Sequence, residues 1–277
     1  EHTEPFDVVC VDDPEVVAYL PVWLDTLHVT HLYRVPASSP IVEAASHNDR
    51  WHVQSVFKMP YLDLSDGFDA VLASMSKNRR SDVRRCRRRL AERGDLRFVA
   101  HPDDRDVNPS LSAGLELQAR GWKGEHGHAV LNNPVHERWY RSLAEVTNDV
   151  GWLRVSSLYL DDRLLSFAFG LWVDGVAYGM LNAYDESDDV RSLSPGNVLF
   201  GELFAHAADE GMNRYELGSG DDPWKFQWTR NADLAYDLLL FGAGVRGRAL
   251  NMLRNRLRSH DGDSEERERE LAEADNG

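Results

Sequence analysis

Of the 31 Lys and Arg residues in this 277-residue chain, only four are lysines: Lys58, Lys77, Lys123 and Lys225. In so arginine-biased a sequence each ammonium is a candidate for chemistry. Lys225 closes the run GSGDDPWKF and is flanked by Trp224, Phe226 and Trp228. An ammonium on such an aromatic shelf can orient a substrate or neutralise developing negative charge. Lys123 lies in RGWKGEHG beside Arg120 and Trp122, a compact cationic-aromatic group suited to an anionic or sugar ligand. A surface turn packed by Trp122 would have the same composition. The third feature is RSLSPGNVLF, Arg191–Phe200. Ser-Pro-Gly ahead of an apolar-periodic run reads as a helix start, and the first N–H groups of such a helix also form a cradle for phosphate.

The elements that must position these residues are legible downstream of Trp152. WLRVSSLYL, a turn at Asp161-Asp162, LLSFAFGLWV, a turn at Asp174-Gly175 and VAYGMLNAY form a three-stranded antiparallel meander. The third strand delivers Tyr184 and Asp185 into the loop DESDDVRSLSPG. A helix follows with Val198, Leu199, Leu203, Ala207 and Ala208 on one face, and Gly211 ends it. RYELG then returns as a strand, and strand–helix–strand is a crossover, so this strand is expected to lie parallel to its partner.

Upstream, Phe68, Val71, Leu72 and Met75 fall at helical spacing, as do Val83, Cys86 and Leu90. Ser76 or Ser81 caps the second of these helices and Gly94 suits its stop. From Lys77 to Arg97 ten Lys and Arg face three acids, a local charge of +7 in a chain of net charge −15. Such a helix either binds an anionic partner or neutralises its own acidic surroundings. Residues 1–60 read as a mixed segment: a strand in FDVVCV, a helix-like stretch interrupted by Pro21, loops at ASSP and ASHNDR, and a strand in WHVQSVF. AYDLLLF (235–241) is a further strand, 242–258 a basic amphipathic helix and 259–277 an acidic tail too poor in core formers to fold.

Composition narrows the classes further. No apolar run approaches the ~20 residues of a membrane span, and no basic-then-apolar leader opens the chain, so a cytoplasmic location is expected. The first residue is Glu, so an N-terminal piece is expected to be missing. Cys10 and Cys86 have no CxxC spacing, and His126 and His128 flank a glycine without a nearby acidic cluster. Neither a disulfide framework nor a metal site is expected.

Taken in order, LASMSKNRRSDVRRCRRRL, LQARGWKGEHG and AYDESDDVRSLSPGNVLFGELFAHAADEGMNRYELGSGDDPWKFQW resemble the CelD-like branch of the GNAT acyltransferases, related to the Fem-type aminoacyltransferases. The resemblance runs from about Tyr61 to Phe241. It implies an α/β (α+β) GNAT fold: a mixed, mostly antiparallel central sheet with one βαβ crossover and flanking helices. Residues 61–241 would be the acyltransferase domain, and 1–60 the remnant of an N-terminal GNAT-like half. In the family an Arg/Gln-x-x-Gly-x-Gly/Ala turn grips the pyrophosphate of acyl-CoA. Here that implies Arg191, Ser194, Gly196, Asn197 and Val198, with Ser194 departing from the family's glycine. The thioester of acyl-CoA (acetyl-CoA) would lie where the strands flanking the crossover splay. Lys225, the counterpart of a Phe-Lys pair in Fem-type relatives, would stabilise charge. Tyr184 would protonate the thiolate, Asp185 would act as base with Glu216 as runner-up, and Asp221 would orient Lys225 or the acceptor. Arg120, Trp122, Lys123 and Trp224 would bind substrate. The implied activity is N- or O-acyl transfer to an amine or hydroxyl of a cell-envelope or polysaccharide precursor, as a glycan, a peptide or another small molecule, without a metal. A Fem-like ligase using aminoacyl-tRNA, with the basic helix on tRNA, and a non-catalytic GNAT-fold binding protein are the alternatives.

Overall fold

The computed structural model describes Tyr19, residues 22–103 and residues 106–256. The FDVVCV strand, most of the helix-like stretch after it and the acidic tail lie outside the described residues. The chain divides into two compact units, one of residues 1–58 with 233–277 and one of residues 59–232. The strand at 235–241, which the sequence reading grouped with residues 61–241, thus belongs with the first unit.

In the second unit the strands are the end of β2 (Trp51–Asp63), β3 (Leu96–Val99), β4 (Leu153–Leu160), β5 (Arg163–Val173), β6 (Val176–Tyr184) and β7 (Arg214–Glu216). Their order across the sheet is β2-β7-β6-β5-β4-β3. Every pairing among them is antiparallel except β6 with β7. The meander follows from its turns: Asp161 (φ 52°), then Asp174 (φ 49°) with Gly175 (φ 80°), supply the positive φ values that two-residue hairpin loops demand.

Helices cover both faces. On one lie Phe68–Ser74 (α1), Lys77–Ala91 (α2) and Pro195–Asp209 (α3). Leu165, Ala168, Trp172 and Ala177 of the sheet pack there with Cys86 and Leu90 of α2 and with Val198, Leu199, Leu203 and Phe204 of α3. On the other lie Asn108–Arg120 (α4) and Pro134–Asp149 (α5), where Leu111, Leu115, Tyr140 and Ala144 bury Val155, Phe167, Phe169 and Leu181. β5 is therefore buried on both sides, and each such Phe or Leu contributes roughly 1.5–3 kcal/mol of transfer free energy. The result is a mixed, mostly antiparallel sheet with one βαβ crossover through α3.

The first unit pairs Val29–Pro36 (β1) with Ala232–Phe241 (β8), and β8 in turn lies beside the start of β2. Leu32, Val35, Ile41, Trp51, Leu238 and Leu240 form its core. The helix Pro40–Ser46 runs between and into the two stretches, ASSP and ASHNDR, that read from the sequence as loops. Ser39 accepts a hydrogen bond from the Ile41 N–H as N-cap and Pro40 opens the first turn, a start signal that was overlooked.

Candidate active site

The mouth of α3 is built from the backbone upward. A short helical turn, Asp188–Arg191, passes the chain to the buried Leu193, and Ser194 then adopts the left-handed conformation at φ 49°, ψ 59°. That single residue turns the chain into the helix and leaves its own hydroxyl without a capping bond. The helical ladder opens with the Val198 N–H donating to the Ser194 carbonyl at 3.2 Å. Pro195 has no N–H, so the Gly196 and Asn197 amides precede the ladder and point out of the helix mouth. The Tyr184 ring lies against this mouth: a Cβ at Gly196 would stand 3.3 Å from it.

A guanidinium reinforces the positive end of the helix. Arg79 Nη2 donates to Asn197 Oδ1 at 2.8 Å, and its carbon lies 5.0 Å from the Trp228 ring centroid. Its side chain is only 15% exposed. Arg79 also lines a cavity of about 690 Å³ that reaches past Trp228 to Asp63 and Asn231 and lies apart from the strand gap.

The gap itself opens where β6 and β7 part. They pair in parallel only from Val176/Arg214 to Tyr178/Glu216. β6 then runs on to Tyr184, while after Leu217 the other chain turns away through Gly218 (φ 74°) and Gly220 (φ 102°). At the parting point a Cβ on Gly179 would be 3.1 Å from the Glu216 carbonyl oxygen, so any side chain there would crowd the neighbouring strand.

Lys225 is buried, at 5% exposure, beneath this loop. Its Nζ donates to the carbonyl oxygens of Ser219 (2.6 Å) and Gly218 (3.3 Å) and to Asp222 Oδ2 (2.9 Å). An ammonium has three N–H donors, so the loop itself engages all of them. Lys123, from the short helix Trp122–Glu125, approaches the same gap from the β6 side. Its Nζ makes one long contact, 3.4 Å to the Asn182 carbonyl oxygen. Burial pushes this amine below the usual lysine range; Asp222 counters the effect and Lys225 adds to it.

The remaining predicted residues divide. Ser194, Gly196 and Asn197 meet at the mouth. Arg191 is exposed in the preceding turn, and Val198 places its side chain in the core and its N–H in the helix ladder, so neither joins them. Asp185 is held by Arg163 and accepts from Ser187, which occupies the carboxylate expected to act as base. Glu216 is likewise engaged by Arg214. Tyr184 keeps part of its ring exposed, and partial burial of its hydroxyl together with Glu186 raises that hydroxyl above the ordinary tyrosine range. Trp224 stacks one face on Phe200 of α3, with ring centroids 4.8 Å apart. Asp221, Arg120 and Trp122 are exposed.

Arg79, Asp222 and Arg163 were not singled out. Arg79 had a signal: with Val83, Cys86 and Leu90 it falls on one helical stripe, and a charge on an apolar stripe marks an inward-facing cation. The other arginines of α2 are exposed or tied within the molecule: Arg80 donates to the carbonyls of Leu72, Ala73 and Met75, and Arg87 pairs with Glu202; Arg93, just past the helix, reaches the Asp189 carbonyl. Among the described residues no helix is long and apolar enough to cross a membrane.

Residues 77–226 match the family model described as an acetyltransferase (GNAT) domain, more than half of the chain. No curated protein matches the sequence. Among solved structures, FemX is similar at a TM-score of 0.58 and 11% identity, over 88% of this chain and 81% of that one. A conserved protein of unknown function from Bacteroides thetaiotaomicron gives 0.56 and 15%, over 82% and 75%. The C-terminal domain of an Agrobacterium fabrum protein, named only by assignment as a lysylphosphatidylglycerol synthetase, gives 0.54 and 16%, over 86% and 76%. At these identities the likeness is one of fold.

Proposed function

The chain belongs to the acetyltransferase (GNAT) domain family, and we propose that this acyltransferase domain moves an acyl group from acyl-CoA to an amine or hydroxyl of a cell-envelope or polysaccharide precursor, working in the cytoplasm. The observation that carries the donor assignment is the α3 mouth. Two main-chain amides ahead of the helical ladder, the helix dipole and the Arg79 guanidinium converge there, a donor set suited to a diphosphate. The glycine at 196 keeps that cradle open against Tyr184. From this anchor the pantetheine arm would run into the gap between β6 and β7, bringing the thioester to the level of Asn182 and the Gly218–Asp222 loop. Tyr184, raised above its ordinary range, stays a phenol at neutral pH and is suited to give a proton to the departing thiolate. Arg120 and Trp122 stand exposed at the entrance for the acceptor.

Isothermal calorimetry with acetyl-CoA tests the donor. The wild-type chain should bind, and Arg79→Met should bind about 10-fold more weakly, the loss of one charge-assisted hydrogen bond. A folded wild-type protein that takes up no acyl-CoA sinks the assignment. The exposed Arg84, Arg87 and Arg88 of α2, of which Arg87 also pairs with Glu202 and Arg88 with Glu92, favour a second reading, in which the donor is an aminoacyl-tRNA. That reading requires tRNA binding that falls steeply with salt and is lost on reversing those three charges.

A further inference from the structure

Two of the four lysines meet at the strand gap, and their surroundings differ. Lys225 reaches it from the loop after β7 with every N–H donor engaged. Lys123 reaches it from the opposite wall with a single long contact to a β6 carbonyl. We propose that Lys123 is the general base of the acyl transfer, and that Lys225 is a strut holding the loop that forms the facing wall. This rests on the acyltransferase reading above, but not on the identity of the acceptor.

Four observations carry the assignment. First, three carboxylates near the gap are already engaged: Asp185 by Arg163 and Ser187, Glu216 by Arg214, and Asp222 by Lys225. Second, Lys123 shares a small recess with Asn182, Tyr184 and Glu186, at the end of β6 where the reacting carbonyl would lie. Third, the charged and titratable groups facing it come from both walls: Asp222 and Lys225 from the loop, Tyr184 and Glu186 from the β6 end. Fourth, burial, with Lys225 adding to it and Asp222 opposing it, shifts this amine toward the neutral form that a base requires.

The step balances without a further reactant. Neutral Nζ takes the proton of the acceptor N–H or O–H as the new C–N or C–O bond forms. The C–S bond then breaks, and the proton passes from the Lys123 ammonium to the departing thiolate, directly or through the Tyr184 hydroxyl. Nothing else is consumed.

With only four lysines in the chain, competitive labelling reads each one separately. Trace acetic anhydride is applied to the full-length native protein across a pH series, and the four lysine peptides are quantified by mass spectrometry. Lys123 should reach half-reactivity at a lower pH than the exposed Lys77, with Lys225 unlabelled until the chain is unfolded. Lys123 titrating together with Lys77, or staying silent, overturns the proposal. The second arm follows thiol release from acetyl-CoA with propylamine as a generic acceptor. Lys123→Gln and the charge-preserving Lys123→Arg should both lower turnover about 100-fold, with acetyl-CoA affinity held within about two-fold. Lys123→Arg retaining turnover would assign the residue to charge stabilisation and overturn the base. Loss of acetyl-CoA binding by the wild type would fail the donor reading alone, because the labelling result stands without any donor.

Discussion

Replacing Lys225 by Met separates a strut from a charge-stabilising lysine. The substitution keeps most of the buried side-chain volume and removes the ammonium. The Ser219 contact at 2.6 Å is a short charge-assisted bond, worth about 2 kcal/mol net. The Gly218 contact at 3.3 Å is longer and is given about 1 kcal/mol. Asp222 is more than half exposed, so its pairing is discounted to about 0.5 kcal/mol or less. The sum is about 3 kcal/mol. For a unit of this size each kcal/mol lowers the melting temperature by roughly 2–4 °C, so a drop of about 6–12 °C is expected. Circular dichroism melting of wild type and Lys225→Met, with urea unfolding at fixed pH alongside, measures it. A melting temperature within about 2 °C of wild type would refute the strut, because the Gly218–Asp222 loop would then be held by something else. Unchanged stability combined with lost turnover would instead restore Lys225 to the chemistry.

Two further perturbations probe the frame around the site. Ser194→Gly should stabilise the protein by about 0.5–1 kcal/mol, since a left-handed non-glycine residue costs about 1–2 kcal/mol and glycine returns about 0.5–1 of this as unfolded-chain entropy; the Ser194 hydroxyl makes no capping bond that would be lost, and urea midpoints read the change. The second concerns pH. Burial by itself would raise the Asp185 carboxyl, but hydrogen bonds from Ser187 and Arg163 outweigh it and hold the group below the ordinary carboxylate range. A group depressed in the folded state contributes stability above its unfolded pKa of about 3.9, and that stability is lost as pH falls through the folded value. Arg163→Gln should therefore reduce the difference in urea midpoint between about pH 6 and pH 3. An unaltered difference would show that the Arg163 contacts do not set this carboxylate's titration.

How much of this was legible in the sequence depends on what holds each part in place. The meander and crossover could be read because their determinants are local: Asp-Gly at a two-residue hairpin loop, alternating apolar runs, and a glycine at the helix stop. The helix Pro40–Ser46 was equally local in its Ser-Pro start and was passed over. The strand at 235–241 was recognised as a strand but its partner was not, because β1 lies some 200 residues earlier and no short-range pattern reports that pairing. The site shows the same division more sharply. The rarity of lysine marked Lys123 and Lys225, and both do face the gap. Rarity cannot tell them apart, because what distinguishes them is not written in side chains. The partners that saturate Lys225 are mostly main-chain carbonyls, which every residue possesses, and they become acceptors only once Gly218 and Gly220 take positive φ. Lys123 keeps its donors largely unengaged because β6 outruns β7, a consequence of strand lengths set on two different segments. The division of labour between the two amines therefore belongs to the topology: the strand that stops early creates both the loop that engages Lys225 and the opening that leaves Lys123 facing the reaction.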